Sequence, residues 1–143
     1  MVEFKDLPIK VSAKALSPTK TLVRCGDYEV ITDKLGGEAP SPIEYILAAL
    51  AGCINIVGHM VAKDMGFEIE GLEIEVEGTF NPAKFMGKNG DRAGYKDVKV
   101  VVKVRADVDE ETLGEWLKRV EERCPVSDNL VNPTPTEVVV EKI

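Results

Sequence analysis

The feature that most constrains the fold is an apolar stretch, residues 43–62, with the composition of a helix that has no polar face. Such a helix must be covered nearly all round. The stretch has the length that a bilayer requires, but Glu44, Asn55 and His59 interrupt it, and no second span or basic flank accompanies it. We therefore predict a helix buried in protein rather than in a membrane. A chain of 143 residues can bury it only by wrapping strands around it or by pairing it with a second copy.

Both ends of this helix carry sequence signals. Ser41, Pro42 and Glu44 form an S-x-x-E pattern with proline at the first helical position, which is typical of a capped helix start. Gly66 follows Met65 and suits the left-handed cap that ends many helices. The sequence therefore predicts a helix from Pro42 to Met65.

Strand patterns lie on both sides of the helix. Before it, FKDLPIKVSA, KTLVRC and YEVITD predict three strands up to about Thr32, separated by Ser-Pro and Gly-Asp turns. After it, in residues 71–85, apolar residues alternate with glutamates, which predicts a half-buried antiparallel strand. The turn-rich segment 87–94 connects this strand to another strand that begins at Val98.

The sequence predicts a second helix after these strands. Asp109 opens the segment DEETLGEWLKRVEERC, whose acidic first turn and basic later turns match the helix dipole. SDNL, after Pro125, predicts a short helical turn, and PTEVVVEKI predicts a final strand. The element order βββ-α-ββ-α-β indicates an α+β fold, and the chain length indicates a single domain over residues 1–143.

Composition and charge exclude some functions. The chain has 25 acidic and 18 basic residues and a net charge of −7, which argues against a nucleic-acid or anionic-membrane partner. Three cysteines without a CxxC pair and a single histidine argue against a disulfide framework and against a metal site. Residues 1–10 lack the apolar core of a signal peptide, so we expect a cytoplasmic protein with reduced thiols.

Two of the cysteines are candidates for chemistry. Cys53 lies in the middle of the apolar helix, where a small packing residue is the simpler interpretation, and a reactive thiol needs a cation from elsewhere in the fold. Cys124 directly precedes Pro125, which drives it out of the helical region and holds the thiol at a bend. From the residues alone, Cys124 is either a packing residue at a helix end or a site thiol.

Two motifs, SPIEYILAALAGC and RCPVSDNLVNPTP, resemble the OsmC/Ohr family of thiol-dependent hydroperoxide reductases, and the resemblance extends over nearly the whole chain. It implies an OsmC-like fold, an intertwined homodimer in which strands wrap around two long central helices and each active site lies at the interface. Small residues let two helices approach closely. On this helix they are Ala48, Ala49, Ala51, Gly52 and Gly58.

The resemblance also implies roles for the cysteines. Cys53 would be peroxidatic: it would attack an organic hydroperoxide, release an alcohol and become a sulfenic acid. Cys124 would be resolving and would form a disulfide with it. An external dithiol, of the lipoyl type in well-studied relatives, would reduce that disulfide. The resemblance implies no bound cofactor and no metal.

The sequence departs from Ohr-type members at the residues that activate the peroxidatic cysteine. Those members pair an arginine with a glutamate ten residues before the cysteine, and Ile43 occupies that position here. Glu44, nine residues before Cys53, lies on the opposite face of the helix and is interpreted as the capping-box acid. Arg24 is the nearest candidate for the cation, against the alternative of a solvated strand arginine.

The roles of Cys25 and His59, and a second possible function, have alternative interpretations. Cys25 is a third redox thiol or, more simply, a packing residue of a strand. His59 lies about 120° from Cys53 round the helix, so it is a poor general base and is interpreted as a packed or interface histidine. The leading hypothesis is a peroxidase. The alternative is a non-catalytic dimer that binds a small hydrophobic ligand and keeps its cysteines for packing.

Overall fold

Five strands and three helices form within residues 2–143, the part of the chain that the computed structural model describes. Their mixture confirms the predicted α+β class. Three short strands precede the long helix, a hairpin of two longer strands follows it, and two helices come last. The elements are β1 (Val11–Ala15), β2 (Thr21–Cys25), β3 (Tyr28–Thr32), α1 (Pro42–Met65), β4 (Gly71–Phe80), β5 (Tyr95–Arg105), α2 (Glu110–Arg123) and α3 (Pro125–Val131).

The chain divides into two compact units, one up to Ile46 and one from Leu47 onward. In the first unit, β1, β2 and β3 form an antiparallel sheet in that order. The loop that leads to α1 is ordered by Asp33, whose carboxylate accepts hydrogen bonds from the backbone N–H groups of Lys34 (2.7 Å) and Glu38 (2.9 Å). These bonds fix the chain directly before the start of α1.

Both predicted ends of α1 are confirmed. The Ser41 hydroxyl accepts a hydrogen bond from the Glu44 backbone N–H (3.3 Å), and Glu44 Oε1 accepts one from the Ser41 N–H (3.0 Å), which completes a capping box. The helix ends at Met65, and Gly66 has a left-handed φ of 84°. The interpretation of Glu44 as the capping acid is confirmed by the same bonds.

In the second unit, β4 and β5 form one antiparallel hairpin. The apolar residues of β4 are half-buried and the glutamates between them are exposed, so the predicted alternation is confirmed. β4 ends at Phe80, however, and not at Phe85. The Asn81 side chain accepts a hydrogen bond from the Ala83 N–H (2.9 Å), which turns the chain out of the strand.

The core of the second unit joins one face of α1 to α2 and to the hairpin. The Trp116 indole Nε1 donates a hydrogen bond to the carbonyl oxygen of Gly58 (2.8 Å). A Cβ atom on Gly58 would lie 2.9 Å from the Trp116 ring. The glycine therefore lets the Trp116 ring of the same chain pack directly against the backbone of α1, rather than a helix of a second copy. The buried apolar residues of the core are Leu50, Ile54, Val57, Val61, Ala62, Trp116, Val120 and Cys124.

α1 is buried on one face only in the single chain, so the strands of the same chain do not cover it all round, and the predicted cover by a second copy stays a prediction. Ile56 is 63% exposed, and Ala49, Gly52 and Met60 on the same side are exposed as well. By length and composition alone the helix could also cross a bilayer, a property that core helices of water-soluble proteins share. The open face consists mainly of small and apolar side chains, with Asn55 and His59 exposed beside them.

Two predicted strand segments at the chain ends do not form. The first strand begins at Val11 rather than at Phe4, and residues 135–143, all of them described, form no strand. Val138 is 89% exposed and Val140 is 93% exposed. A strand requires a neighbour that completes its hydrogen-bond ladder, and neither segment has such a neighbour within the described chain.

Candidate active site

Cys53 lies in the middle of α1, at the border between the buried and the exposed face of the helix. Leu50 and Val57, on one side of it, are buried, whereas Gly52 and Ile56, on the other side, are exposed. The thiol itself is partly exposed. A small molecule can therefore reach this sulfur, although it belongs to the helix that forms the core.

Cys124 is the one residue between α2 and α3, and it caps both helices. Its backbone N–H donates to the Val120 carbonyl oxygen (3.0 Å), and its Sγ accepts a hydrogen bond from the Ser127 backbone N–H (3.4 Å). Because Pro125 follows, the backbone of Cys124 is extended, with φ −78° and ψ 110°. The predicted bend is confirmed, and the side chain is only 1% exposed.

The structure brings Cys53 and Cys124 into side-chain hydrogen-bond contact, although they are 71 positions apart in the sequence (124 − 53). Both are free thiols. The Val126 backbone N–H donates to Cys53 Sγ, and the Ser127 N–H donates to Cys124 Sγ. The first turn of α3 thus directs one amide at each sulfur, and such hydrogen bonds stabilise negative charge on sulfur.

The pKa of the Cys53 thiol is raised above its ordinary value. Burial is the largest cause, and the side-chain hydrogen bond with Cys124 raises it further, whereas the Val126 N–H lowers it. Within the single chain, Cys53 is therefore a thiol rather than a thiolate at neutral pH. A peroxidatic Cys53 needs a positive charge in addition to these neighbours.

Arg24, the predicted source of that charge, lies on β2 in the first unit. Its guanidinium forms an ion pair with Glu29 on the neighbouring strand (2.8 Å), and both side chains are largely exposed. An exposed pair of this kind contributes little to stability, so Arg24 can exchange Glu29 for another partner at small cost. Its role as the activating cation stays a prediction.

Three other residues singled out by the sequence have different surroundings. Cys25 ends β2 opposite Tyr28 and is partly buried. His59 is exposed, and its Nδ1 lies 2.8 Å from the carbonyl oxygen of Asn55 one turn earlier, so it is not a packed histidine in the single chain. Ile43 lies in the first turn of α1, at the position where Ohr-type members carry a glutamate.

Sequence reasoning missed Val126 and Ser127 because both act through backbone N–H groups, which no side-chain motif records. The signal was nevertheless present. Pro125 occupies the first position of α3, and a residue that accepts hydrogen bonds commonly precedes such a proline. Here the capping residue is Cys124, where serine or aspartate would be usual.

An apolar cavity of about 140 Å³ lies beside Cys124. Its walls come from the buried face of α1, from β5 and from α2, and Glu121 and Ser127 are its polar members. A cavity of this size and character has room for a short alkyl group. Its apolar lining residues are Leu50, Ile54, Val100, Val102, Leu117 and Val120.

Comparison with known proteins assigns the chain to a family. The sequence model of the OsmC-like protein family matches residues 35–139, which include both Cys53 and Cys124. The chain belongs to the OsmC-like family. The crystal structure of an OsmC-like protein from Mycoplasma pneumoniae has the same fold, with a TM-score of 0.79 and 17% sequence identity over 90% of this chain and 91% of that chain.

Two further structures with this fold carry more specific names. The organic hydroperoxide resistance protein OhrB of Bacillus subtilis is 24% identical, with a TM-score of 0.64 over 89% of this chain and 93% of that chain. The organic hydroperoxide resistance protein OsmC from Legionella pneumophila is 17% identical, with a TM-score of 0.63 over 87% of this chain and 89% of that chain. At these identities the likeness establishes the fold alone. No curated protein sequence matches the chain.

Proposed function

We propose that this OsmC-like protein is a thiol-dependent peroxidase that reduces organic hydroperoxides to alcohols, with Cys53 as the peroxidatic and Cys124 as the resolving cysteine. The contact between the two thiols at the start of α3 carries the proposal, because a sulfenic acid formed at Cys53 meets the second sulfur at once. The names of the relatives from B. subtilis and L. pneumophila support the same chemistry.

The proposed cycle has three steps. The Cys53 thiolate attacks the terminal peroxide oxygen, the O–O bond breaks, and the alkoxide leaves and is protonated to the alcohol. The Cys124 thiolate then attacks the sulfur of the Cys53 sulfenic acid and displaces hydroxide, which leaves a disulfide. An external dithiol, of the lipoyl type, supplies two electrons and restores both thiols. No bound cofactor and no metal take part in these steps.

The assembly that we propose is an intertwined homodimer. The exposed side of α1 carries Ala49, Gly52, Ile56 and Met60, a surface of small and apolar side chains that a second α1 can approach closely. The segments at the two chain ends, which form no strand in the single chain, can pair with strands of a second copy. The dimer also offers a route by which Arg24, or another base of the partner, reaches Cys53.

The surroundings of the thiols favour an apolar substrate. The cavity beside Cys124 is lined mainly by aliphatic side chains and can take an alkyl tail while the peroxide reaches Cys53. The net charge of −7 disfavours nucleic acid and anionic membranes as partners. Reduced thiols fit a cytoplasmic location.

The same cavity also supports the second candidate, a non-catalytic dimer that binds a small hydrophobic ligand. The raised pKa of Cys53 and the presence of Ile43 at the glutamate position favour it. The two candidates differ in the fate of the thiols. A ligand-binding protein leaves both thiols reduced in the presence of a peroxide, whereas a peroxidase oxidises them.

Mass spectrometry after one equivalent of an alkyl hydroperoxide separates these candidates. We expect the mass to fall by two hydrogens as the Cys53–Cys124 disulfide forms, and to return to its first value with a dithiol. Cys53→Ser abolishes turnover. Cys124→Ser allows one oxidation but accumulates sulfinic or sulfonic acid at Cys53 under excess peroxide. Cys25→Ser is the matched control and keeps wild-type turnover. Wild-type turnover in Cys53→Ser would exclude the peroxidase.

A further inference from the structure

The two sulfurs of the thiol pair differ in access. Cys124 is 1% exposed and belongs to the same buried cluster as Trp116 and Val120. Cys53 is partly exposed, at the border of the open face of α1. A thiolate that opens a disulfide must approach the attacked sulfur from the side opposite its partner sulfur, and access to that sulfur controls the rate. Within the single chain, the packing therefore makes Cys53 the more accessible of the two sulfurs to an external thiol.

The two sulfurs also differ as leaving groups. The Ser127 N–H at the start of α3 donates to Cys124 Sγ (3.4 Å), and an amide in this position stabilises the negative charge that a departing thiolate gains. Cys53 receives the Val126 N–H, but burial outweighs that bond and the pKa of its thiol is raised overall. Since a departing thiolate leaves faster when a hydrogen-bond donor stabilises its charge, the Ser127 N–H favours release of Cys124.

We infer that the external thiol opens the Cys53–Cys124 disulfide at Cys53 and that Cys124 is the leaving thiolate, held by the Ser127 N–H. This inference rests on the proposed function for its disulfide. In the first step a reductant thiolate forms a bond to Cys53 Sγ, the Cys53–Cys124 S–S bond breaks, and its electron pair remains on Cys124. In the second step the other thiol of a dithiol attacks the reductant sulfur and releases Cys53, which takes up a proton.

A monothiol tests the first step alone, because it has no second sulfur to complete the reduction. The disulfide is prepared with diamide, an oxidant that requires no peroxidase activity, in a Cys25→Ser background that leaves two cysteines. It is then mixed with β-mercaptoethanol, quenched with acid after short times, and alkylated with N-ethylmaleimide. Peptide mass spectrometry shows which cysteine carries the mercaptoethanol and which carries the maleimide.

We expect mercaptoethanol on Cys53 and maleimide on Cys124 in nearly all singly modified molecules. Mercaptoethanol mainly on Cys124, or an even division between the two, overturns the inference, as does failure of diamide to form the disulfide. A disulfide that forms with diamide but not with a hydroperoxide contradicts the proposed peroxidase instead. The two failures are thereby distinguishable.

The contribution of the Ser127 N–H is tested by Ser127→Pro, which removes this donor in the first turn of α3, where the N–H makes no hydrogen bond along the helix itself. Ser127→Ala, which keeps the amide, is its reference. We expect the opening of the disulfide to be about threefold to tenfold slower in the proline variant than in the alanine variant. Equal rates in two folded variants overturn the role of this amide. Trp116 fluorescence reports folding, and the wild-type adduct pattern tests the inference independently of either variant.

Discussion

The Trp116 indole donates a hydrogen bond of 2.8 Å to the carbonyl oxygen of Gly58, and this bond fixes where α2 lies on α1. It also determines where Cys124 lies, since Cys124 ends α2 two turns after Trp116. The thiol pair therefore depends on a glycine that lies five positions after Cys53 on α1 (58 − 53). Changes at this contact should alter stability and the approach of the two sulfurs together.

Gly58→Ala tests this contact. The added Cβ would lie 2.9 Å from the Trp116 ring, so either the ring or the helix must move. We expect a loss of about 1–3 kcal/mol in the free energy of unfolding, measured by urea denaturation with Trp116 fluorescence. We also expect slower formation of the Cys53–Cys124 disulfide with diamide.

Gly114→Ala is the matched control for that substitution. Gly114 lies on α2, and a Cβ atom there meets nothing within 4 Å. Alanine favours the helix over glycine, so we expect this variant to be more stable by about 0.5–1 kcal/mol. Equal effects of the two substitutions would show that helix propensity, and not the Trp116 contact, decides the result at Gly58.

The capping box predicts a pH dependence of stability. Hydrogen bonds from the backbone and side chain of Ser41 hold the pKa of Glu44 below its ordinary value of 4.5. A carboxyl whose pKa is lower in the folded protein adds stability above its unfolded pKa, and that contribution is lost as the pH falls through the lowered value. Urea midpoints measured from neutral pH into the acid range should therefore fall less steeply for Glu44→Gln than for the wild type. An unchanged slope would contradict this assignment.

Ser41→Ala removes the other half of the same capping box. We expect a loss of about 1 kcal/mol at neutral pH, because the Glu44 N–H and Glu44 Oε1 both lose a partner. The acid dependence should also become somewhat shallower, since the backbone N–H of residue 41, the larger cause of the lowered pKa of Glu44, remains and only the hydroxyl is lost. Urea denaturation at neutral and acid pH measures both effects. A variant as stable as the wild type would show that solvent replaces these bonds.

The raised pKa of Cys53 predicts slow alkylation near neutral pH. Cys124→Ala removes the side-chain hydrogen bond and the charge that contribute to the rise, while burial, the largest cause, remains. The pH at which iodoacetamide reacts at half its maximal rate with Cys53 should therefore move down in this variant, but not below the ordinary thiol range. Peptide mass spectrometry after timed quenching measures it. A shift upward would show that Cys124 stabilises the Cys53 thiolate instead.

Local signals in the sequence were sufficient for the long helix α1, for β4 and for α2. The capping box at Ser41, the alternation on β4 and the aspartate that begins α2 each depend on residues within one or two turns, so each could be predicted without knowledge of tertiary contacts. The contact between Cys53 and Cys124 could not be derived in this way. It arises from the packing of α2 on α1, in which Trp116 contacts Gly58 although the two residues are far apart in the sequence.

The predictions that the single chain does not fulfil concern surfaces that it leaves exposed. A helix covered all round and strands at both chain ends were predicted from apolar periodicity, which reports that a side chain is to be buried but not by which chain. In the described structure the open face of α1 and residues 135–143 are exposed. The proposed peroxidatic role of Cys53 has the same character, because the cation that it would need has to come from beyond the helix.

Ile56→Glu tests whether a second copy covers the open face of α1. Ile56 is 63% exposed in the single chain, so a glutamate there should cost little if the chain is a monomer. In a homodimer the same glutamate is buried without a partner, and we expect dissociation or loss of folding. Val101→Glu, on the outer face of β5 and 38% exposed, is the control and should leave the assembly unchanged. Light scattering at micromolar concentration measures the oligomeric state of both variants and of the wild type. A wild-type protein that is a stable monomer, or an Ile56→Glu dimer as tight as the wild type, would exclude this interface. It would then also exclude a cation that the second copy supplies to Cys53 across the interface.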